Sequence, residues 1–562
     1  MKKTFLLAAL FMLSCVHQIS AITRVVNISE LEGELTRALR VQVLGLTYND
    51  TIVINFDKVG SDTICGTVLA QCNVVMRGMG RCKSTIVLDN GSNQDGFIAF
   101  QDDSFFTFRG LLAHNISVSI SDLSFKIKEH SGIWWSSAEK YAVKIYHADK
   151  VSINNVDSYL INAFCTNFDL RVCSNVTVNN CNISNYNNSI TGGCLWMRGE
   201  MHNISVTGNR FYKYGKDETI AFFDHILDAN QLIMGNVNRS NISVIDNDFF
   251  YGYEGEDKNE LSNSMQISLY SGESQYSCTT SDFLFSKNRF HNSDLIDRTI
   301  FIGFNDIDSF DGIELNENII IDYYFGSVKR HYRNDIEICD YSSHPDTIFF
   351  KNNVLMNYNP VVNPYGDNGA SFFLLKGGRI CLDGNVLSNT VTEDTAATTD
   401  IGVTLIWNKA EYGDVTMRNN TCHNIRNIAK VSASNGASYL KMVAQNNIFQ
   451  GDTRIYCNNV DSMDLDFKKN LFLSNTGCYF LQEFASSGNV VFNDNNVFVK
   501  TAWGRLMEHW GSNPTSSMHF NRLEVKNNLL RGINSIDDML IYMTNYNERI
   551  VSGNINIMNS IP

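Results

Sequence analysis

Ile204-Ser205-Val206-Thr207-Gly208-Asn209-Arg210-Phe211 is the stretch on which the reading of this chain turns. Apolar residues at alternate positions lead into a polar pair, then Asn, one variable residue and a large apolar residue. The same order returns as Val244-Ile245-Asp246-Asn247-Asp248-Phe249, as Phe285-Ser286-Lys287-Asn288-Arg289-Phe290 and as Ile313-Glu314-Leu315-Asn316-Glu317-Asn318-Ile319-Ile320. It continues through Asn353, Asn385, Asn420, Asn447, Asn470, Asn496 and Asn528 to Asn554, and upstream Leu123, Val156 and Cys181 hold the same station. Successive stations lie between 23 residues (Asn447 to Asn470) and 41 residues (Asn247 to Asn288) apart. A strand presents one face with every second residue. The shortest spacings therefore suit a coil of three short strands stacked on the next, and the longer ones imply loops inserted on one face.

The residue choice has a physical reason. Asn at the turn between two strands tolerates left-handed backbone and hydrogen-bonds locally, and Asn stacked over Asn builds an amide ladder along the axis. Leu, Val and Cys at the early stations make an apolar stack instead. Ser29 to Arg40 has helical spacing with Ser29 as N-cap, and such a helix would cover the open first coil. The expected fold is all-β: a single-stranded right-handed parallel β-helix with a short N-terminal capping helix. No Trp-Asp or Gly-Gly blade signature of a propeller is present.

Residues 1–21 read as an export signal: Lys2 and Lys3, the apolar Phe5 to Val16, then Ile19-Ser20-Ala21. Residues 22–562 then form one body, with its longer loops between about 130 and 345. A rival reading takes Cys15 as a lipidated anchor. Either way the expected location is secreted, periplasmic or cell-surface, with no transmembrane segment. The net charge of −14 offers no electrostatic footprint for nucleic acid. The fourteen cysteines show no metal spacing; apart from a chance pairing of Cys173 with Cys181, they read as solenoid core.

Gly78-Met79-Gly80 leading to Ser84-Thr85-Ile86-Val87-Leu88, the Asn-x-Phe stations and Val176-Thr177-Val178-Asn179-Asn180-Cys181-Asn182-Ile183 together resemble the pectate-lyase-like right-handed β-helix superfamily over nearly the whole mature chain. That superfamily includes polysaccharide lyases, glycoside hydrolases, esterases, tailspikes and adhesins. The resemblance thus implies a polysaccharide or glycan partner and leaves the chemistry to the site.

Lys216-Asp217-Glu218-Thr219-Ile220-Ala221 is similar to the Asp-Asp-x-Ile-Ala segment of polygalacturonase-type hydrolases. Asp217 and Glu218 match the paired acids, and Ile220 and Ala221 the strand that follows. Asp224 and His225 have no counterpart, and the Asn-Thr-Asp segment expected one coil earlier is replaced by Gly192 to Glu200. Glycosidic hydrolysis requires two carboxyl groups flanking the bond, one held protonated, so Asp217, Glu218 and Asp224 are the candidate catalytic acids, with Glu200 a further partner. A calcium ion held by Asp217, Glu218 and Asp224 is a third reading; otherwise no cofactor is expected. Strand alternation places Lys144, Tyr146, Trp196, Arg198, Phe223, His225 and Tyr270 on the exposed outer face, with Gln266 and Ser268, as an aromatic and polar groove for sugar. β-Elimination would draw a base from Lys144, Arg198 or Lys216. The basic run Lys329 to Arg333 and the Trp134-Trp135 pair are further candidate sugar contacts. A glycan-binding surface protein without turnover is the alternative to an enzyme.

Overall fold

The computed structural model describes residues 21–557 except 90–103, 112–114, 128–139, 162–164, 187–191, 216, 224–235, 253–263, 272–275, 294–295, 297, 324–333, 343–344, 359–370, 391–402, 409–411, 433–438, 452–453, 459, 475–480, 484, 500–505, 510–518 and 533–545. Residues 1–20, with Cys15 among them, and Trp134-Trp135, Lys216, Asp224, His225 and Lys329 to Arg333 lie outside the described residues.

Each coil contributes three short strands, and each strand pairs in parallel with its counterpart one coil on. Arg289–Ser293 pairs with Ile319–Tyr323, Arg298–Phe304 with Asn334–Asp340, and Ser309–Asn316 with Thr347–Lys351. The strand after a station belongs to sheet I, the next to sheet II, and the one leading into the next station to sheet III. This is a right-handed parallel β-helix. In three early coils Lys140–Asn154, Cys165–Asn179 and Leu195–Thr207 run through sheets II and III as single long strands. They turn the corner at His147, Val172 and Gly199, which adopt left-handed φ.

The interior is one continuous apolar stack, because alternate residues of all three sheets converge on the axis. Phe211, Phe249 and Phe290 lie face to face at 5.0 and 4.7 Å. The free cysteines Cys173, Cys181, Cys194 and Cys422 are buried in this stack, and Cys173 and Cys181 are not joined.

The Asn ladder forms, with one correction of register and one of mechanism. From Asn209 through Asn247, Asn288, Asn318, Asn353, Asn385, Asn420, Asn447 and Asn470 to Asn495, Asn528 and Asn554, each Nδ2 donates to the next Oδ1 at 2.8–3.2 Å. The station before Asn528 is thus Asn495, not Asn496, which already belongs to the following strand Asn496–Val499. The left-handed residue is also not the ladder Asn but the one before it: Asp122, Asn155 and Asn180 in the early coils, then Gly208, Asp246, Lys287 and so on to Gly553. That turn leaves the Asn itself free to point inward and cap the backbone. Each buried Asn also donates to a carbonyl of the preceding coil, as Asn353 does to Leu315 at 2.9 Å.

The N-terminal helix is shorter than its sequence pattern. Gly33 takes φ 82° and interrupts it, so the α-helix, α1, covers Leu35–Val43. Ser29 is not its cap; its amide and hydroxyl bind Asp57 instead. The buried face of α1 (Thr36, Leu39, Val43) still closes the first coil, with Thr36 Oγ1 accepting the Cys65 N–H at 2.7 Å.

Candidate functional site

Five neighbouring coils bring the candidate residues of sheet II into two columns. One runs Lys144, Asp169, Trp196, Ala221, Ser268; the other runs Tyr146, Arg171, Arg198, Phe223, Tyr270. Alternation therefore places Lys144, Tyr146, Trp196, Arg198, Phe223, Ser268 and Tyr270 on one face. Tyr141, Trp196, Ala221 and Phe223 pack as a small apolar cluster of their own, separate from the axial core.

That face is covered where exposure was expected. Lys144, Tyr146, Trp196 and Arg198 retain only 5, 4, 3 and 2% of their surface, and Ala221 and Ser268 are buried as well. The pleat fixes the side of the strand on which a residue sits, not what lies over that side. Gln266 differs in another way. It turns into the corner between sheets I and II, where its Nε2 donates to Asn292 Oδ1 at 3.1 Å and its Oε1 accepts from Thr219. Phe223 and Tyr270 keep partial exposure, as do Asp217 and Glu218.

Two residues that sequence reasoning missed organise the covered part. Asp169 Oδ2 accepts from Arg171 Nε at 2.7 Å, and Asp169 Oδ1 lies 3.2 Å from Arg198 Nε. Arg171 Nη2 donates to Tyr141 Oη at 3.0 Å. The Arg198 guanidinium lies over the rings of Trp196 and Phe223 at 4.7 and 5.5 Å. The Lys144 ammonium lies 4.9 and 4.8 Å from the ring centres of Tyr141 and Tyr146, a geometry favoured by the ring quadrupole. The signal was present: Phe168-Asp169-Leu170-Arg171 alternates apolar and charged residues, in register with Leu195-Trp196-Met197-Arg198 one coil later. Because Asp169 is a buried carboxylate shared by two guanidinium groups, Asp169→Ala should cost about 3 kcal/mol or more. Urea unfolding monitored by circular dichroism checks this, and an unchanged midpoint would refute it.

The acid pair sits at the start of the strand Asp217–Phe223. Asp217 has φ 67° and its Oδ2 accepts the Gly192 N–H at 2.9 Å. Glu218 as a residue is half-buried, yet burial of its carboxyl is the largest influence on it, followed by the adjacent Asp217. Together they push its pKa up to about 7, against the opposing pull of Lys213 and Arg198. Lys213, a third missed residue, is fully buried and donates to Asn185 Oδ1 at 3.3 Å and to Gly192 O. Burial lowers its pKa, while Asp217 and Glu218 oppose that shift. A charge at the core parity of Arg210-Phe211-Tyr212-Lys213-Tyr214 was the clue to it. Gly193 keeps the site compact: a Cβ there would collide with Trp196 Nε1 and the Glu218 carbonyl. Glu200 is not near-matched to this pair; it binds His202 instead. Among the described residues no group of three His, Cys, Asp or Glu side chains is placed to hold a metal ion, and the calcium reading depended on Asp224.

Chemically, the arrangement offers a carboxyl that holds its proton near neutrality, an adjacent acid, and an aromatic wall at Phe223 and Tyr270.

No family model matches the chain, and no curated protein matches it. Among solved structures it is similar to the catalytic domain of a GH87 α-1,3-glucanase in complex with tetrasaccharides, at 12% identity and TM-score 0.30, over 78% of this chain and 65% of that one. It is also similar to PfbA, a surface adhesin of Streptococcus pneumoniae, at 10% identity and TM-score 0.26, over 92% and 91% of the two chains. A third is a PL6 family alginate lyase, at 10% identity and TM-score 0.20, over 96% and 98%. The chain spans slightly less than two thirds of that glucanase domain. Likeness at this level assigns no activity. The strand register and ladder do identify the architecture: the chain is a right-handed parallel β-helix.

Proposed function

We propose that the protein is an exported carbohydrate-active β-helix that cleaves a polysaccharide by hydrolysis, with Glu218 as general acid. The observation that carries this reading is the Glu218 carboxyl, pushed up to about 7 beside Asp217. A glycosidase needs one carboxylic acid still protonated at working pH to protonate the leaving oxygen, and a second carboxylate to stabilise the oxocarbenium-like centre or activate water. Glu218 has the first role and Asp217 the second. Lys213 and Arg198 set the local field, and Phe223 and Tyr270 present rings to a sugar. No helix among the described residues is long and apolar enough to cross a membrane.

The test is incubation with neutral and uronate-containing polysaccharides, following both new reducing ends and the ultraviolet absorbance of unsaturated products. Hydrolysis gives reducing ends alone, with a rate that falls as pH rises through about 7 and Glu218 loses its proton. Unsaturated products would replace this mechanism by β-elimination. A second reading is glycan binding without turnover, through the partly exposed rings of Phe223 and Tyr270. Saturable binding to a glycan that remains intact after prolonged incubation would establish that reading and end the hydrolytic one.

A further inference from the structure

Away from the acid pair, the outer surface between sheets II and III carries a relay of a different kind. Gly199 and Asn203 both adopt left-handed φ, 76° and 58°, and bracket the short segment Glu200-Met201-His202. Met201 points into the core, so Glu200 and His202 project outward. One coil on, Ser240 pairs in register with His202 and is followed by Asn241, again left-handed at φ 54°. Ser240 Oγ lies 2.7 Å from His202 Nδ1, and His202 Nε2 lies 3.1 Å from Glu200 Oε1.

The neutral Nε2–H tautomer of His202 satisfies both contacts. The exposed Glu200 carboxylate accepts from Nε2–H, which fixes the neutral tautomer and leaves Nδ1 as an acceptor for the Ser240 hydroxyl. This is the nucleophile, base and orienting-acid arrangement that defines serine hydrolases by geometry rather than by sequence order. It differs from the usual version in that the imidazole is reversed, with Nδ1 facing the serine. All three side chains are half-buried or exposed, so an ester on a large substrate can reach them.

We propose that Ser240, His202 and Glu200 form a second, ester-cleaving site whose substrates are small O-acyl esters, such as those carried by sugar hydroxyls. Ser240 Oγ bonds to the ester carbonyl carbon while its proton passes to His202 Nδ1. The carbon–oxygen bond to the sugar then breaks, and the departing alcohol takes that proton. Water attacks the acyl-serine, losing its proton through the same nitrogen, and the carboxylic acid leaves as Ser240 is restored. The net change is ester plus water to acid plus alcohol, with no oxidant or cofactor.

The experiment uses the full chain with two probes: p-nitrophenyl acetate hydrolysis, and labelling by a fluorophosphonate followed by peptide mass spectrometry. The label is expected on Ser240. Ser240→Ala should abolish both signals, and His202→Gln should lower the hydrolysis rate about 100-fold or more. Glu200→Gln should lower it about tenfold by releasing the imidazole orientation. Ser281→Ala, at the paired position one coil further, should retain wild-type labelling and rate. Because these positions are at the surface, circular dichroism should be unchanged, which separates lost chemistry from lost folding. No label on Ser240 in the wild-type chain, or undiminished hydrolysis by Ser240→Ala, overturns the proposal. Neither probe depends on glycosidic cleavage, so this site stands or falls apart from the one at Glu218.

Discussion

Glu218→Gln is expected to reduce kcat for polysaccharide hydrolysis about 1000-fold, with KM little altered, because the amide keeps the shape of the side chain and lacks the proton to donate. The same substitution should stabilise the fold at alkaline pH. Glu218 has a folded-state pKa of about 7, above its ordinary value of 4.5, so between these limits the folded chain holds a proton that the unfolded chain has released. Its contribution is most favourable below about 4.5, declines as pH rises through that window, and is constant above about 7. A shift of that size, discounted for the partial exposure of the residue, corresponds to about 2 kcal/mol at pH 8. Chemical unfolding of both proteins at pH 4 and pH 8 checks this: the Gln variant should gain at pH 8 and show little difference at pH 4. Equal stability at both values would mean that the carboxyl titrates normally. A catalytic acid held at a cost to stability is the usual trade at active sites.

Asn353→Ala should be strongly destabilising, as at any buried rung of the ladder. Asn353 Oδ1 accepts from the backbone N–H of Asn318 at 2.9 Å and from its Nδ2 at 3.0 Å, while Asn353 Nδ2 donates to Leu315 O and to Asn385 Oδ1. All these groups are buried, so truncation leaves donors and acceptors on both neighbouring coils without partners. Each such group costs about 1–3 kcal/mol, and the sum should be at least about 4 kcal/mol. Since a solenoid is stabilised by nearest-neighbour interfaces, hydrogen exchange should show the coils around Asn318 to Asn385 opening first. Asn554→Ala, at the half-exposed end of the ladder, should cost far less. Comparable losses at the two positions would contradict the ladder as a source of stability.

The fold was legible because its signal is periodic. A buried Asn at each turn, flanked by alternating apolar residues, has few other structural explanations. The single slip of register came where Asn493-Asp494-Asn495-Asn496 offers several asparagines to one station. Which residue carries the left-handed φ could not be read from Asn alone, because Lys287, Glu317 and Lys469 also adopt it at this turn. The helix boundary moved because Gly33 interrupts a pattern whose apolar spacing continues across it.

The site was legible only in part. Alternation found the outer columns of sheet II, since parity is a local property of a strand. It could not show that Trp196 and Arg198 are covered, because burial depends on segments distant in sequence. Asp169, Arg171 and Lys213 were missed for the same reason: each has a partner on a neighbouring coil, Arg198, Tyr141 and Asn185 respectively. Glu218 was singled out from a short acidic motif, but its raised pKa comes from packing that the motif does not encode.

The most direct test of the account is to titrate the Glu218 carboxyl itself, by carbon-13 NMR of side-chain-labelled protein with the Glu218→Gln variant to assign the resonance. A midpoint near 7 is the expected result. A midpoint near 4.5, the ordinary value for glutamate, would leave no proton to donate at neutral pH and would contradict the proposed acid catalysis.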